Sequence, residues 1–127
     1  MQDLIWIRDE VVLAIHRSQL AEHGGSEGIR DEGLLQSALC RPKNLLAYAE
    51  SPPDLADLAA AYGYGIVKNH PFVDGNKRTA YIVMRTFLKL NGYDIQANDE
   101  AKYQIWIDLA IGKLSAIELA EWIRSHY

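Results

Sequence analysis

The apolar residues of this chain recur mostly at spacings of three and four, which is the period of an α-helix. The first such run covers residues 9–22 and stops at the pair Gly24-Gly25. A second run begins after Asp31, a residue type that caps helix starts. Pro42 predicts the end of this second helix, because proline cannot donate the hydrogen bond that an interior position makes.

Two longer and more apolar helices are predicted in the centre of the chain. A Ser-Pro-Pro-Asp signal opens the first, which is expected to run to Asn69, and the second extends from Asn76 to the Asn-Gly stop at 91–92. Gly63 and Gly65 lie inside the first helix, where each costs roughly 1 kcal/mol relative to alanine. Their presence predicts that another backbone packs very close to this surface.

Two further helices complete the pattern. Asn98, followed by two acidic residues, opens the fifth, and the capping box formed by Ser115 and Glu118 opens the sixth. Few stretches alternate as half-buried strands do. We therefore predict an all-α fold, a compact helical bundle of about six helices that forms a single domain over residues 1–127, with the two most apolar helices in its centre.

Composition and charge narrow the class of protein. Hydrophobic residues make up 49% of the chain and charged residues 24%, as in ordinary globular domains. A formal net charge of -4 disfavours generic binding to nucleic acid or to an anionic membrane, so we expect no direct nucleic-acid or membrane partner. The chain shows neither a signal-peptide pattern nor a long apolar span, which predicts a cytoplasmic protein. The single cysteine, Cys40, excludes an intramolecular disulfide and is expected to be a small core residue.

The segment between the two central helices, residues 70–78, reads His-Pro-Phe-Val-Asp-Gly-Asn-Lys-Arg. A connection uses glycine, proline and asparagine, but it does not need a histidine, a carboxylate and two adjacent cations. Lys77 and Arg78 stand at the predicted start of a helix, where cations oppose the helix dipole and lower stability unless an anion is bound. Together with the free backbone N–H groups that begin at Gly75 and Asn76, they predict a phosphate-binding site.

Three side chains of this segment have further predicted roles. His70 is a candidate general base toward a hydroxyl, because histidine exchanges protons near neutral pH. Asp74 is a candidate Mg²⁺ ligand, because Mg²⁺ combines one or two carboxylates with phosphate oxygens. Phe72 is expected to anchor the loop in the core. Lys68 either extends the phosphate-binding patch or faces solvent. This set fits transfer of a phosphoryl or nucleotidyl group to a protein hydroxyl, with His70, Asp74, Lys77 and Arg78 as its catalytic residues.

The other histidines and the tryptophans receive simpler interpretations. The three other histidines have no partner at metal-ligand spacing and are expected on the surface or satisfied in the core: His16, His23 and His126. The three tryptophans are assigned to packing: Trp6, Trp106 and Trp122. No Walker-type glycine loop and no protein-kinase signature is present, which excludes the two familiar architectures that handle nucleoside triphosphates.

The segment 70–78 resembles the signature H-x-F-x-D/N-A/G-N-K-R of the Fic/Doc superfamily at every fixed position. The Gly24-Gly25 break, Asp31 at a helix start and the Phe-Leu-x-x-Asn-Gly pattern at 87–92 extend the resemblance to the death-on-curing branch. The resemblance implies an α-helical toxin of a type II toxin-antitoxin system. It further implies that ATP and Mg²⁺ are used to phosphorylate a translation factor, with elongation factor Tu as the known target type.

Two positions separate this chain from the adenylylating branch, whose pattern is H-x-F-x-D/E-G-N-G-R-x-x-R. Lys77 replaces the second glycine of that pattern, and Tyr81 stands where it has its second arginine. Both differences favour transfer of the γ-phosphate of ATP over transfer of AMP. Gly75 is shared with the adenylylating branch, so adenylyl transfer to a protein hydroxyl remains the alternative. A chain that mainly binds an antitoxin as a co-repressor, without catalysis, is the other alternative.

The resemblance also indicates a protein partner. The chain lacks the motif S/T-x-x-x-E-G/N of the inhibitory helix found in many Fic proteins. By family precedent, the inhibitor is then a separate Phd-like antitoxin whose disordered tail folds onto the toxin. The glycine-rich residues 24–30 either pair with a target peptide by strand addition, as a flap does in Fic proteins, or form an ordinary connection.

Overall fold

The computed structural model describes residues 4–127 and confirms the all-α prediction with six helices. They are α1 (Asp9–His23), α2 (Glu32–Tyr48), α3 (Leu55–Asn69), α4 (Asn76–Leu90), α5 (Asp99–Ala110) and α6 (Ala116–Arg124). Within residues 4–127 there is no strand, and the extended pairing is limited to one antiparallel bridge between Ile29 and Phe72.

Local signals at the helix starts act as the sequence predicts. The Asp31 carboxylate accepts a hydrogen bond from the Leu34 N–H at 2.9 Å, and Asn98 Oδ1 accepts from the Ala101 N–H at 2.8 Å. The predicted capping box at Ser115 is present at the start of α6. Each cap satisfies an N–H group that the helix itself leaves without a partner, so these boundaries are set by residues close in sequence.

The predicted end of α2 at Pro42 is wrong. The helix continues through Pro42 to Tyr48, and the proline ring is buried. An interior proline costs about 3 kcal/mol or more, but Leu35, Ala38 and Leu39 are also buried, and α2 packs extensively on α3. Tertiary packing of α2 against α3 therefore outweighs the local loss.

Helix α3 forms the centre of the molecule and contacts α2, α4, α5 and α6. Its two glycines explain how closely its neighbours approach. A Cβ added to Gly65 would lie 3.4 Å from the backbone oxygen of Ala38 in α2, which confirms the predicted close backbone approach. At Gly63 the neighbour is a side chain instead, with the Met84 sulfur 3.1 Å from the added Cβ.

Two other expectations concern the surface of the molecule. Cys40 is exposed, so its assignment to the core is wrong: it lies on the outer face of α2, while Ala38 and Leu39 face inward. None of the helices within residues 4–127 has the length and apolar character needed to cross a membrane.

Candidate active site

The loop that joins α3 to α4 begins at His70, which ends α3 with a left-handed backbone (φ 51°, ψ 55°). His70 is the only residue other than glycine with positive φ in the described part of the chain. This conformation costs about 1–3 kcal/mol for a residue with a Cβ, so surrounding contacts must stabilise it. Its imidazole is exposed at the surface above the loop.

Contacts from the segment between α1 and α2 hold this backbone in place. The Arg30 guanidinium donates from Nε to the His70 carbonyl at 2.7 Å and from Nη2 to the Asn69 carbonyl at 3.0 Å. The Arg30 N–H also donates to the Pro71 carbonyl at 2.7 Å. Arg30 therefore supplies hydrogen-bond donors to carbonyl groups that have no partner at the end of α3. Nothing in the sequence indicates this role of Arg30, because its partners lie about 40 residues away along the chain.

Residues 24–30 lie directly against the loop. The Val73 N–H donates to the Gly28 carbonyl at 3.0 Å, beside the bridge between Ile29 and Phe72. One edge of this segment is thus already paired within the chain. The structure does not test whether the segment also binds a target peptide, which stays a prediction.

Phe72 and Asn76 fix the middle of the loop. The Phe72 side chain is completely buried, as an anchoring role requires. Asn76 is also buried; its Oδ1 accepts from the Phe72 N–H and its Nδ2 donates to the Phe72 carbonyl, both at 2.9 Å. Because the Asn76 amide is used within the loop, its predicted contact with phosphate is left to its backbone N–H.

His16 of α1 supports the loop from below. It is 4% exposed, its ring stacks on Phe72 at 3.8 Å between centroids, and its Nε2 lies 2.8 Å from the Asp74 carbonyl oxygen. The sequence predicts a histidine on the surface or satisfied in the core. The burial of His16 agrees with the second of these, but its contact with the loop was not predicted. Val12 and Leu20, four residues to either side, are buried on the same face of α1. That spacing predicts burial but does not reveal what His16 contacts.

The start of α4 differs from the other helix starts. Its N-cap is Gly75 in a left-handed conformation (φ 76°), and no side chain caps the helix. The five other described helices each have an acidic residue in the first turn, whereas α4 has none and carries Lys77 and Arg78 there. Uncapped N–H groups, the positive end of the helix dipole and two exposed cations together favour an anion at this position.

A cavity of about 300 Å³ lies over the loop and this helix start. Its lining consists of His70, Val73, Asp74, Gly75, Asn76, Lys77, Arg78 and Trp106. The structure thus brings together every predicted catalytic residue and most of the predicted phosphate-binding residues. The eighth lining residue, Trp106, comes from α5.

Lys68 is not among the residues that line this cavity. Its Nζ lies 5.7 Å from the centre of the Tyr64 ring, in a separate cleft against the α5–α6 connection. Two residues along a helix correspond to a rotation of about 200°, so Lys68 projects from a different side of α3 than its C-terminal end at His70. Lys68 is exposed and lies apart from this cavity, and its predicted contact with phosphate stays a prediction.

Asp74 is exposed, and its carboxylate is oriented by the backbone of residues 25–26. Its Oδ2 accepts from the Ser26 N–H at 2.8 Å, and a Cβ added to Gly25 would lie 3.2 Å from the Asp74 Cβ. A carboxylate has acceptor capacity beyond one such bond. Residues 4–127 contain no cluster of three potential ligands that could hold a metal ion without help. A single exposed carboxylate is a group that could hold Mg²⁺ if phosphate oxygens and water supplied its other ligands.

Trp106 was assigned to packing alone, and the structure corrects that assignment. Its ring is half-buried and forms one wall of the cavity, with the Arg78 Cζ 5.8 Å from the ring centre. The sequence carries no signal for this role, because α5 and the loop are brought together only by the fold.

The fold and the site define an all-α protein whose candidate chemistry is concentrated in the loop between two central helices. The chain belongs to the Fic/DOC family, whose model matches residues 6–88. Toxin Doc of Mycolicibacterium smegmatis is 43% identical over 75 residues, which are 59% of this chain and 58% of that toxin. Protein kinase doc of Escherichia phage P1 is 30% identical over 121 residues, which are 95% of this chain and 94% of that kinase.

Proposed function

We propose that this chain is the toxin of a toxin-antitoxin pair and that it transfers the γ-phosphate of ATP to a hydroxyl of a translation factor similar to elongation factor Tu. The observation that carries the proposal is the cavity of about 300 Å³, around which an exposed histidine, a carboxylate and an uncapped, cationic helix start converge. The names of the two relatives, a toxin and a protein kinase, support it.

His70 acts as the general base in this reaction. The imidazole accepts the proton of the target hydroxyl as the hydroxyl oxygen forms a bond to the γ-phosphorus. The bond from that phosphorus to the oxygen bridging the β- and γ-phosphates breaks, and ADP leaves with the bonding electrons. Phosphoryl transfer depends mainly on positioning and on charge stabilisation, so the rigid backbone of the loop matters as much as the base itself.

The phosphate oxygens are held by the start of α4. Lys77 and Arg78 supply two positive charges, and the backbone N–H groups of the first turn supply hydrogen-bond donors. Asp74, oriented by Ser26, would hold Mg²⁺ at the same phosphates. When bound, the metal neutralises phosphate charge and fixes the orientation of the transferred group.

Adenylyl transfer uses the same cavity with the nucleotide in the opposite direction. Two observations favour the kinase reaction. Lys77 lines the cavity, so a long cationic side chain stands where the adenylylating pattern leaves space with glycine. Tyr81, at the position of the second arginine of that pattern, is half-buried and supplies no positive charge for the distal phosphates.

The proposed toxin requires an inhibitor, and a Phd-like antitoxin with a disordered segment is the partner that we propose. Co-expression with a Phd-like antitoxin, followed by purification through a tag on one partner, tests this point. We expect the two chains to elute together in a defined ratio. Separate elution, with the chain harmless to cells when expressed alone, contradicts it.

The reaction itself is tested by incubating the purified chain, Mg²⁺ and elongation factor Tu with ATP labelled on either the γ- or the α-phosphate. We expect label on the target from γ-labelled ATP only. His70→Ala should lower the rate by roughly 10²- to 10⁴-fold, the usual contribution of a general base. His126→Gln changes a histidine that follows the end of α6 and does not line the cavity, so this control variant should retain the rate. Label from α-labelled ATP establishes adenylyl transfer instead, and no label from either contradicts the proposal for this target.

A further inference from the structure

Helix α5 presents two stacked aromatic rings at the edge of the candidate active site. Tyr103 and Trp106 lie three residues apart on one face of the helix, with ring centroids 6.1 Å apart and planes 25° apart. Tyr103 is 63% exposed and Trp106 is half-buried, so the pair forms a surface rather than part of the core. Both lie outside the residues matched by the family model.

This aromatic pair connects the cavity over the loop with a second one. The second cavity has a volume of about 220 Å³ and lies between α1, α4 and α5. Arg78 and Trp106 line both cavities, so the two spaces adjoin at these side chains. The lining of the first cavity is mainly cationic and polar. The lining of the second cavity is mainly aromatic and includes Tyr81, Tyr103 and Trp106.

We propose that Trp106, with Tyr103 beside it, stacks on the nucleobase of the bound nucleoside triphosphate. This inference rests on the proposed function, because it takes the start of α4 as the site of the phosphates. A nucleoside triphosphate has an anionic end and a flat aromatic end, and the two adjoining cavities have the matching characters in the same order. Stacking on an aromatic side chain is the usual way in which proteins hold a base without reading its identity.

Arg78 links the two halves of this binding site. Its guanidinium lies over the indole of Trp106 at 5.8 Å and also borders the start of α4. A guanidinium can contact an aromatic face while its N–H groups bind phosphate oxygens. The side chains of Gln19 and His23 lie along the second cavity and provide hydrogen-bonding groups for the edge of the base.

Calorimetric titration with two ligands measures separately how the base and the phosphates contribute to affinity. The complete chain is titrated with Mg²⁺-ATP and, separately, with Mg²⁺-tripolyphosphate, which has no base. Trp106→Ala should weaken ATP binding about 5- to 150-fold, the effect of losing base stacking, and should leave tripolyphosphate binding unchanged. Trp106→Phe keeps an aromatic face and should retain most of the ATP affinity.

Two further variants make the test specific. Tyr103→Ala should weaken ATP binding in the same direction, whereas Tyr48→Ala removes an 83% exposed tyrosine from α2 and should change neither titration. Unchanged tripolyphosphate binding also shows that Trp106→Ala has kept its fold.

The possible results are distinguishable. Equal weakening of both ligands in Trp106→Ala overturns the inference, because Trp106 would then only support Arg78. Unchanged ATP binding also overturns it and leaves the second cavity to another occupant, such as an antitoxin segment. Both results leave the proposed function intact. A wild-type chain that binds neither ligand overturns the proposed function together with this inference.

Discussion

His70 combines an exposed side chain with a backbone conformation that its own Cβ disfavours. The left-handed conformation is held by contacts of the backbone, chiefly the two hydrogen bonds from Arg30 to the carbonyls of His70 and Asn69. The imidazole itself makes no large contribution to packing, because it is exposed. The strain therefore lowers the stability of the fold, and it is consistent with the proposed use of His70 as the base.

This separation predicts that stability and activity respond differently at position 70. His70→Gly and His70→Ala both remove the imidazole, and both should lower the rate of phosphoryl transfer by the same roughly 10²- to 10⁴-fold. Glycine adopts positive φ without strain, so His70→Gly should be more stable than His70→Ala by about 1 kcal/mol. Denaturant unfolding of the two variants measures this difference. Equal stability would show that the left-handed backbone is not strained in this loop.

At the scale of helices, the start of α4 lacks the features that stabilise other helix starts, as a proposed anion site would require. A helix start normally gains from a capping side chain and an acidic first turn, and the other five described helices have at least the acidic residue. In α4 the cap position is Gly75, which has no side chain to cap the helix, and Lys77 and Arg78 oppose the dipole.

Reversing one charge at this helix start should therefore have opposite effects on folding and binding. Lys77→Glu should raise the free energy of unfolding by roughly 0.3–1 kcal/mol, because an acidic residue in the first turn interacts favourably with the dipole. The same change should sharply weaken binding of Mg²⁺-tripolyphosphate. Lys77→Gln, which only removes the charge, should lie between wild type and Lys77→Glu in both measurements. A variant that loses both stability and affinity would contradict the dipole argument.

The elements also show what a sequence can and cannot specify. The starts of α2, α5 and α6 were predictable because the capping residues act within three or four positions. The end of α2 was not, because Pro42 is tolerated only through packing on α3. The same division holds for the site. The contiguous loop was predictable from its composition, whereas His16, Arg30 and Trp106 reach it from α1, from the segment after it and from α5.

At the scale of the whole molecule, α3 connects its interface with α6 to the candidate active site. It begins beside α6, where Arg124 donates from Nε to Asp54 Oδ2 at 2.6 Å and from Nη2 to Asp57 Oδ1 at 2.8 Å. It ends at the strained backbone of His70. Contacts that stabilise the α3–α6 interface therefore also stabilise the helix that leads directly into the candidate base, His70.

The ion pair at the start of α3 predicts how the stability of the whole molecule depends on pH. The hydrogen bond from Arg124 lowers the pKa of Asp54 from its ordinary value of 3.8 to about 2 in the folded state. Because the folded-state pKa is the lower one, the stabilisation is fully present above about pH 4 and is lost as the pH falls toward 2. The Asp54 side chain is 42% exposed, so solvent screening keeps the total effect modest. Arg124→Gln should be less stable than wild type near pH 6, and the difference should shrink between pH 4 and pH 2, as followed by denaturant unfolding at each pH. A difference that stays constant over this range would show that Arg124 stabilises the helix pair by packing and not through the charge of Asp54.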